Sequence, residues 1–431
     1  MPKFFLHSFG CRTNQADGAA LAAALQRGGW TAVDNEAPAE WAVLNTCTVT
    51  AAADAEARRA ISRLRRDHPE LQIAVTGCYA RRAPAEVAAL DGVAAVLGTG
   101  SPKLATAAVF EDLLDLQALQ AWNAPPAAGI PGCMPGRMRP VVKVQDGCGR
   151  RCSYCVIPFV RGAHRSLPLG GVLAQIRELA ENGYPEAVIS GINLGEWGRD
   201  LDGRLRLHDL VRAILEQTPL ARLRLSSVEP MDWSAELTAL LASEPRVAPH
   251  AHLPLQSGSD TVLGRMRRRY TAAQYAERVL RLRHAAPAAA IGADVMVGFP
   301  GETAAEFAAT RDLIAALPFT YLHIFTYSSR AGTEAARQLA AGGWAPVPAA
   351  AAHERATELR RLIAAKRADF LRSMLGRQLA VVTLAPAADG AGRGLTGNFL
   401  EMTLPPAPPR QLAAATVTGV HGGRLLGAWA A

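Results

Sequence analysis

Two stretches of this chain alternate strand-length apolar runs with helix-length amphipathic segments. In the first hundred residues the strand-like runs are KFFLHSF, WAVLNT, LQIAVTG and VAAVLG. Strands that are separated by helices pair in parallel, because the crossover helix returns the chain to the same end of the sheet. This stretch therefore predicts a small, doubly wound parallel sheet.

A second and longer alternating series begins at Pro140. Its six strand-like runs are VVKVQ, AVIS, RLRLSS, HAHLPL, IGADVMVGF and YLHIFTY. Six strand-helix units predict an open, partial (β/α)6 barrel. The rest of the chain returns to short strand patterns with Gly and Pro turns between them, which predict a small C-terminal β-barrel. The predicted fold class is α/β with this β-barrel as a third unit.

The length of the chain and its breaks predict where the domains end. A chain of 431 residues is too long for one ordinary core. The mixture APPAAGIPGCMPGRMRP looks like a linker, and the basic segment 353–375 has the pattern of an amphipathic helix that Gly376 can terminate. The predicted units are an N-terminal domain, a linker, a central barrel and a C-terminal barrel, at residues 1–115, 116–139, 140–375 and 376–431.

The apolar runs of the chain are short. None approaches the roughly 18 residues that a membrane-spanning helix requires. The opening segment MPKFFLHSFG is too short for a signal peptide. These features predict a cytoplasmic protein without a membrane partner.

The positive charge of the chain has two interpretations. Lys and Arg exceed Asp and Glu by 46 to 38, which gives a net charge of +8 and a pI near 9.4. This excess suits a polyanionic partner, and the arginine run at 265–270 and the pair Arg360 and Arg361 are candidate contacts for nucleic-acid phosphates. A compositional preference for arginine and solvated helix faces explain the same features.

Three of the seven cysteines form a CxxxCxxC motif at the end of a predicted strand, namely Cys148, Cys152 and Cys155. Three thiolates can hold a 4Fe-4S cluster by three irons, which leaves the fourth iron open to chelate S-adenosylmethionine. Tyr154 matches the aromatic residue commonly found at this position in radical enzymes. The alternative, a structural zinc site, usually needs four ligands, and no fourth ligand is evident nearby.

A second set of three cysteines is spread over the N-terminal domain. Cys11, Cys47 and Cys78 each follow a predicted strand, and parallel strands place their carboxyl ends at one edge of the sheet. We therefore expect these thiols to converge and to hold a second 4Fe-4S cluster, although a cysteine of this kind, taken alone, is more often a buried structural thiol. Cys133 lies in the predicted linker without a partner, and we interpret it as a bystander.

Polar residues at the carboxyl ends of the predicted barrel strands are candidate contacts for S-adenosylmethionine or substrate, because barrel folds bind ligands there. A structural role is as well supported for each of these residues: Asn193, Ser227, Glu229, Gln256 and Gly298. A structural role is favoured for Glu302, since Thr303 and Glu306 after it match a capping box.

With these motifs in place, the chain resembles the methylthiotransferase family of radical S-adenosylmethionine enzymes over nearly its whole length. The resemblance implies an N-terminal cluster domain, a central radical domain and a C-terminal TRAM domain. It also implies that Cys11, Cys47 and Cys78 carry an auxiliary cluster that delivers sulfur. One S-adenosylmethionine would then provide a methyl group, and a second would generate the radical.

Three branches of that family act on isopentenyladenosine in tRNA, on threonylcarbamoyladenosine in tRNA, or on an aspartate of a ribosomal protein. The segments NTCTVT, VTGCYA and SGINLGEWG are similar to the threonylcarbamoyladenosine branch. The resemblance therefore implies methylthiolation of carbon 2 of that nucleoside next to the anticodon, with electrons from a flavodoxin- or ferredoxin-like donor. The other two acceptors stay open as alternatives, as does a non-catalytic, zinc-stabilised RNA-binding protein.

Overall fold

A computed structural model describes residues 1–97 and 138–430 of the chain. The predicted linker at 116–139 lies almost entirely outside the described residues, as does Cys133. The predicted boundary at 375/376 falls between a helix that ends at Arg372 and a strand that begins at Gln378. In the part of the chain that is described, no helix is both long and apolar enough to cross a membrane.

The N-terminal domain is built on a five-stranded parallel sheet in the order β2-β1-β3-β4-β5. Its strands are β1 Lys3–Ser8, β2 Thr31–Val33, β3 Trp41–Thr46, β4 Gln72–Gly77 and β5 Val93–Val96. Its described helices are α1 Arg12–Arg27, α2 Ala51–Asp67, α3 Cys78–Arg82 and α4 Pro84–Ala88. Successive strand residues point to opposite faces, so Val43 packs with α1 while Leu44 packs with α2. The predicted doubly wound sheet is confirmed.

The central domain is an open barrel whose six parallel strands match the six predicted runs. These strands are β6 Val141–Asp146, β8 Glu186–Gly191, β9 Arg222–Leu225, β10 His250–His252, β11 Ala290–Val297 and β12 Tyr321–Thr326. A short strand, β7 Arg165–Ser166, pairs antiparallel with β6 at the edge. Parallel bridges such as Ser227 to His252 connect the sheet that ends at β9 to the sheet that begins at β10. The predicted partial (β/α)6 barrel is confirmed.

The helices of the central domain cover the outside of this barrel. They are α5 Ile157–Arg161, α6 Leu169–Glu181, α7 Leu207–Gln217, α8 Ala235–Ser243, α9 Asp260–Arg265, α10 Ala272–Ala285, α11 Ala304–Ala316, α12 Glu334–Ala340 and α13 Ala349–Arg372. The apolar faces of most of these helices bury one continuous core against the strands, whereas α5 and α12 contribute to smaller clusters. The capping box predicted at Thr303 and Glu306 is present at the start of α11, and α13 contains most of the predicted basic helix.

The last domain is a closed five-stranded barrel in the order β13-β14-β15-β17-β16, which confirms the predicted small β-barrel. Its strands are β13 Gln378–Thr383, β14 Gly392–Thr396, β15 Glu401–Leu404, β16 Leu412–His421 and β17 Arg424–Trp429. Arg224 of the central barrel donates to the carbonyls of Thr396 and Gly397 at 3.1 and 2.9 Å, and to the buried Glu186 at 2.8 Å. Burial raises the pKa of Glu186, but the attraction of Arg224 and Arg222 outweighs it and keeps the pKa below its usual range. The C-terminal barrel is therefore attached through a buried ionic contact.

The N-terminal domain also packs on the central barrel. Helix α1 lies against β6, where Ala16, Val141 and Val188 form a small buried apolar cluster. Helix α3 lies against α5. The carboxyl edge of the N-terminal sheet, where α1 and α3 begin, is thereby brought next to the carboxyl end of β6.

Candidate functional site

The CxxxCxxC motif forms a loop directly after β6. Gly147 starts this loop with a φ of +67°, and a Cβ there would come within 1.9 Å of the Ala163 carbonyl oxygen, so only glycine fits. The Cys148 N–H donates to the Gly162 carbonyl at 3.1 Å, and the Cys155 N–H donates to the Cys152 carbonyl at 3.1 Å. The loop is thus held in a compact turn that carries all three thiols.

The three thiols of this loop are partly buried and close enough to affect one another's pKa values. Burial raises the pKa of Cys155 to about 12. A hydrogen bond from the Ile157 N–H opposes this increase, and the nearby Cys152 and Cys148 add to it. Burial also raises the pKa of Cys148. Because metals bind the thiolate form, cluster loading must release protons here. The loop offers three sulfur donors, a set that fits a 4Fe-4S cluster that keeps one open iron.

The structure also brings together the three separated cysteines of the N-terminal domain. Cys11 caps α1 after β1, Cys47 follows β3, and Cys78 is the first residue of α3 after β4. The sheet order reverses between β1 and β3, and doubly wound sheets bind ligands at such a reversal. The predicted convergence is confirmed at this edge, whereas cluster ligation by these thiols stays a prediction.

Close backbone approach and burial shape this second triad. A Cβ on Gly10 would come within 2.6 Å of the Cys47 sulfur, which requires glycine beside the thiol. Burial raises the pKa of Cys47 to about 11, and although the Val49 N–H opposes the increase, the nearness of Cys11 and Cys78 adds to it. Cys47 and Cys78 are buried and Cys11 is exposed, so the triad opens to one side.

The two triads border the same domain contact. Cys78 packs in one small apolar cluster with Val156 and Val160, and Val156 directly follows Cys155 in the chain. Arg161 of α5 lies in the same contact and donates from Nε to the Cys78 sulfur at 3.3 Å. Sequence reasoning did not identify Arg161, because nothing in the sequence shows which arginine the domain contact buries.

A loop after β12 contacts the surroundings of both triads, and sequence reasoning did not identify it. Ser328 accepts from the Ala51 N–H at 2.9 Å, and Arg330 donates to Asp54 at 2.7 Å, both on α2 of the N-terminal domain. At its other end the Ala335 N–H donates at 2.8 Å to the Ser153 carbonyl, inside the CxxxCxxC loop. This loop therefore contacts the surroundings of both triads.

The residues predicted as S-adenosylmethionine or substrate contacts differ in what surrounds them. Both polar side-chain atoms of Asn193 and the Oε1 of Gln256 are buried without a hydrogen-bond partner. Unpaired buried polar atoms are costly, so these two side chains fit a ligand that would satisfy them. Tyr154 packs edge-on against Phe299, which gives it a structural contact beside the cysteine loop.

The remaining predicted contacts already have partners or are exposed. Glu229 is paired with Arg268 and, at 3.4 Å, with Arg150. The Gly298 N–H donates to Glu302 at 2.7 Å, whereas Ser227 is exposed at the end of β9. A role for these three in ligand binding stays a prediction.

Part of the predicted basic run lies beside the radical triad. A cleft of about 140 Å³ is lined by Cys152 and five arginines, namely Arg150, Arg151, Arg267, Arg268 and Arg269. Arg268 also reaches the Cys152 sulfur at 3.6 Å. This cleft suits an anionic partner, although Arg150 and Arg268 are already paired with carboxylates.

Comparisons with known proteins agree with this architecture. Residues 3–98 match the model of the Uncharacterized protein family UPF0004, and residues 142–314 match that of the Radical SAM superfamily. The chain is 36% identical over 344 residues to the threonylcarbamoyladenosine tRNA methylthiotransferase MtaB of Bacillus subtilis, covering 77% of this chain and 74% of that protein. It is 33% identical over 411 residues to MtaB of Aquifex aeolicus, covering 93% of this chain and 96% of that protein.

Another relative and a solved structure extend these comparisons. The tRNA-2-methylthio-N(6)-dimethylallyladenosine synthase of Chloroflexus aurantiacus is 34% identical over 418 residues, covering 92% of this chain and 85% of that protein. A solved structure with the same fold is that of the radical S-adenosylmethionine methyltransferase TsrM from Kitasatospora setae, which contains cobalamin and a [4Fe-4S] cluster. The TM-score is 0.56 at 17% sequence identity, and the match covers 79% of this chain and 78% of that chain. Membership of the radical superfamily implies a 4Fe-4S cluster and S-adenosylmethionine. The chain belongs to the methylthiotransferase family of radical S-adenosylmethionine enzymes.

Proposed function

We propose that this protein is a tRNA methylthiotransferase that adds a methylthio group to carbon 2 of threonylcarbamoyladenosine next to the anticodon. The observation that carries this proposal is that Cys78 of the N-terminal set packs at the domain contact on Val156, the residue that follows Cys155 of the other set. The MtaB relatives, at 33–36% identity over most of the chain, support the choice of nucleoside.

Each triad has its own role in this proposal. Cys148, Cys152 and Cys155 would hold the radical 4Fe-4S cluster, which with S-adenosylmethionine bound would supply the radical that activates the substrate carbon. Asn193 and Gln256 would orient that S-adenosylmethionine or the substrate through their unpaired amide atoms. Cys11, Cys47 and Cys78 would hold the second 4Fe-4S cluster, which supplies the sulfur.

The partners follow from the same chemistry. We expect the tRNA to approach near the domain contact that both triads border, since both must reach one carbon atom. The radical cluster needs single electrons, so a flavodoxin- or ferredoxin-like donor is part of the proposal. We place this reaction in the cytoplasm, where tRNA is modified.

The test uses reconstituted protein under anaerobic conditions with S-adenosylmethionine, reductant and tRNA that carries threonylcarbamoyladenosine. Mass spectrometry of the digested tRNA should show the 2-methylthio nucleoside. An unmodified nucleoside, from protein that still cleaves S-adenosylmethionine, would contradict the proposed acceptor.

The second candidate acceptor is isopentenyladenosine in tRNA, which the 34% identity to the Chloroflexus aurantiacus enzyme favours. Side-by-side assays on tRNAs that carry either nucleoside, with a ribosomal protein as the third acceptor, separate these functions. A zinc-stabilised RNA-binding protein would instead contain zinc and show no brown iron-sulfur absorbance.

A further inference from the structure

One buried arginine contacts both sides of the domain interface. Arg161 is 8% exposed and belongs to α5, just after the CxxxCxxC loop. Its Nε donates to the Cys78 sulfur at 3.3 Å, and its Nη1 donates to the two carboxylate oxygens of Asp146 at 3.1 and 3.3 Å. Its Nη2 donates to Asn14 at 3.2 Å and pairs with Asp17 at 2.8 Å. All three nitrogens of the guanidinium are therefore engaged.

The two carboxylates that Arg161 contacts are shared with a second cation. Lys143 pairs with Asp17 and, at 3.0 Å, with Asp146, so two cations face two carboxylates. A thiolate at Cys78 would add one negative charge to this buried set. The Nε–H of Arg161 points at that sulfur, and a charge-assisted hydrogen bond of this kind is stronger than a neutral one.

The same side chain is connected to the loop of the radical triad. The Asp146 carboxylate, held by Arg161, accepts the Gly147 N–H at 2.8 Å. Gly147 is the residue before Cys148, so the guanidinium joins one thiol of the N-terminal triad to the backbone that enters the other triad. A lysine here would keep the positive charge. Its single nitrogen could not, however, reach the thiol, the carboxylates and the Asn14 side-chain amide together, as the planar guanidinium does.

We propose that Arg161 is a positioning residue for the auxiliary cluster, donating a hydrogen bond to the Cys78 thiolate and holding that ligand in place relative to the radical-cluster loop. This inference rests on the proposed function, because Cys78 must be a cluster ligand. Hydrogen bonds to cluster sulfurs are among the factors that set a cluster's reduction potential. A donated N–H stabilises the more negative, reduced cluster, so Arg161 makes the potential of the auxiliary cluster less negative.

The test measures the auxiliary cluster alone, in the full chain with Cys152→Ala to remove the radical cluster. In this background we compare Arg161→Lys and Arg161→Gln with the parent by iron and sulfide content and by redox titration followed by electron paramagnetic resonance. We expect a retained cluster with a more negative potential in both variants, with the larger shift in Arg161→Gln. The matched control is Arg246→Gln, whose guanidinium donates to the backbone carbonyls of Leu215, Thr218 and Leu220, and its potential should not change.

A second readout uses the chain with all six predicted ligand cysteines intact. If Arg161 positions the auxiliary cluster, Arg161→Lys should lower the ratio of methylthiolated nucleoside to 5′-deoxyadenosine, because the radical cluster keeps its own ligands. An unchanged potential and an unchanged ratio in both Arg161 variants would overturn the inference. A Cys78→Ala variant that keeps its auxiliary cluster would instead contradict the proposed ligand set, so the two failures are distinguishable.

Discussion

The two cysteine triads are built in opposite ways. Cys148, Cys152 and Cys155 belong to one loop after a single strand, whereas Cys11, Cys47 and Cys78 come from the ends of three different strands. The first triad depends on the conformation of a short segment. The second depends on the register of a whole sheet and on the helices that begin at its edge. A change in the N-terminal fold should therefore affect the second triad and leave the first intact.

The largest expected effect separates the two triads by their products. Cys155→Ala should abolish both 5′-deoxyadenosine formation and methylthiolation, because the radical step needs its cluster. Cys78→Ala should abolish methylthiolation and leave 5′-deoxyadenosine formation, both measured by mass spectrometry after anaerobic incubation with tRNA. Loss of both products in Cys78→Ala with normal radical-cluster iron would show that the triads do not act separately.

The next effect comes from the glycines that precede one thiol of each triad. Gly77 has a φ of +91°, and a Cβ there would come within 2.3 Å of the Thr46 carbonyl oxygen. We expect Gly77→Ala to lose the auxiliary cluster only and Gly147→Ala to lose the radical cluster only, as measured by iron content. The positive-φ backbone alone costs on the order of 1–3 kcal/mol in each case, and the clash adds to it.

The control for these glycine variants is Gly183→Ala. Gly183 also has a positive φ, of +76°, but a Cβ there meets no atom within 4 Å. It should keep both clusters. Cluster loss from this variant would mean that general instability, rather than the close approach beside the thiols, explains the other two results.

The next prediction concerns stability rather than cluster content, at a buried carboxylate of the N-terminal domain. Asp54 accepts from Thr48 at 2.6 Å, from Arg82 at 3.0 Å and from Arg330 at 2.7 Å. Asp54→Ala would leave the buried Arg330 without its acceptor, and breaking a buried ion pair costs about 3–5 kcal/mol. The midpoint of urea unfolding of the N-terminal domain should therefore move to a lower urea concentration, while the radical cluster is retained.

The matched control for that variant is Asp67→Ala. Asp67 is exposed on the same helix, α2, and pairs with Arg66 at the surface. Surface pairs contribute little to stability, so its unfolding midpoint should stay close to that of the unsubstituted protein. Equal shifts in the two variants would contradict the role assigned to Asp54.

The smallest effect is at the start of α2, just after Cys47. The Thr50 hydroxyl caps this helix by accepting the Ala53 N–H at 3.2 Å. Thr50→Ala should lower the free energy of unfolding by about 1 kcal/mol, and Thr50→Ser should restore most of it. A loss of radical-cluster iron in Thr50→Ala would contradict the separation of the triads.

Much of the fold could be predicted because buried parallel strands appear as apolar runs between helices. All six barrel strands were predicted in this way. The strands β2 and β7 were missed, since segments of three and two residues are too short to show any period. The sheet order, which places the thiols at the reversal between β1 and β3, is a tertiary property that the sequence does not display.

The parts of the candidate site that could be predicted are those that a short segment of the sequence displays by itself. The CxxxCxxC loop is identified by its spacing, and the positions of Asn193 and Gln256 followed from their places at strand ends. Arg161 and Arg330 were not found, because each acts across a domain contact with residues that are distant in the chain. In a sequence with 46 basic residues, nothing marks the few that become buried.

The most direct test of the account is the iron and sulfide content of anaerobically reconstituted protein. The unsubstituted chain should contain two clusters' worth of iron and sulfide, Cys47→Ala and Cys152→Ala should each contain one, and the double variant none. If Cys47→Ala keeps as much iron as the unsubstituted protein, the N-terminal thiols do not hold a cluster and the proposed sulfur source is wrong.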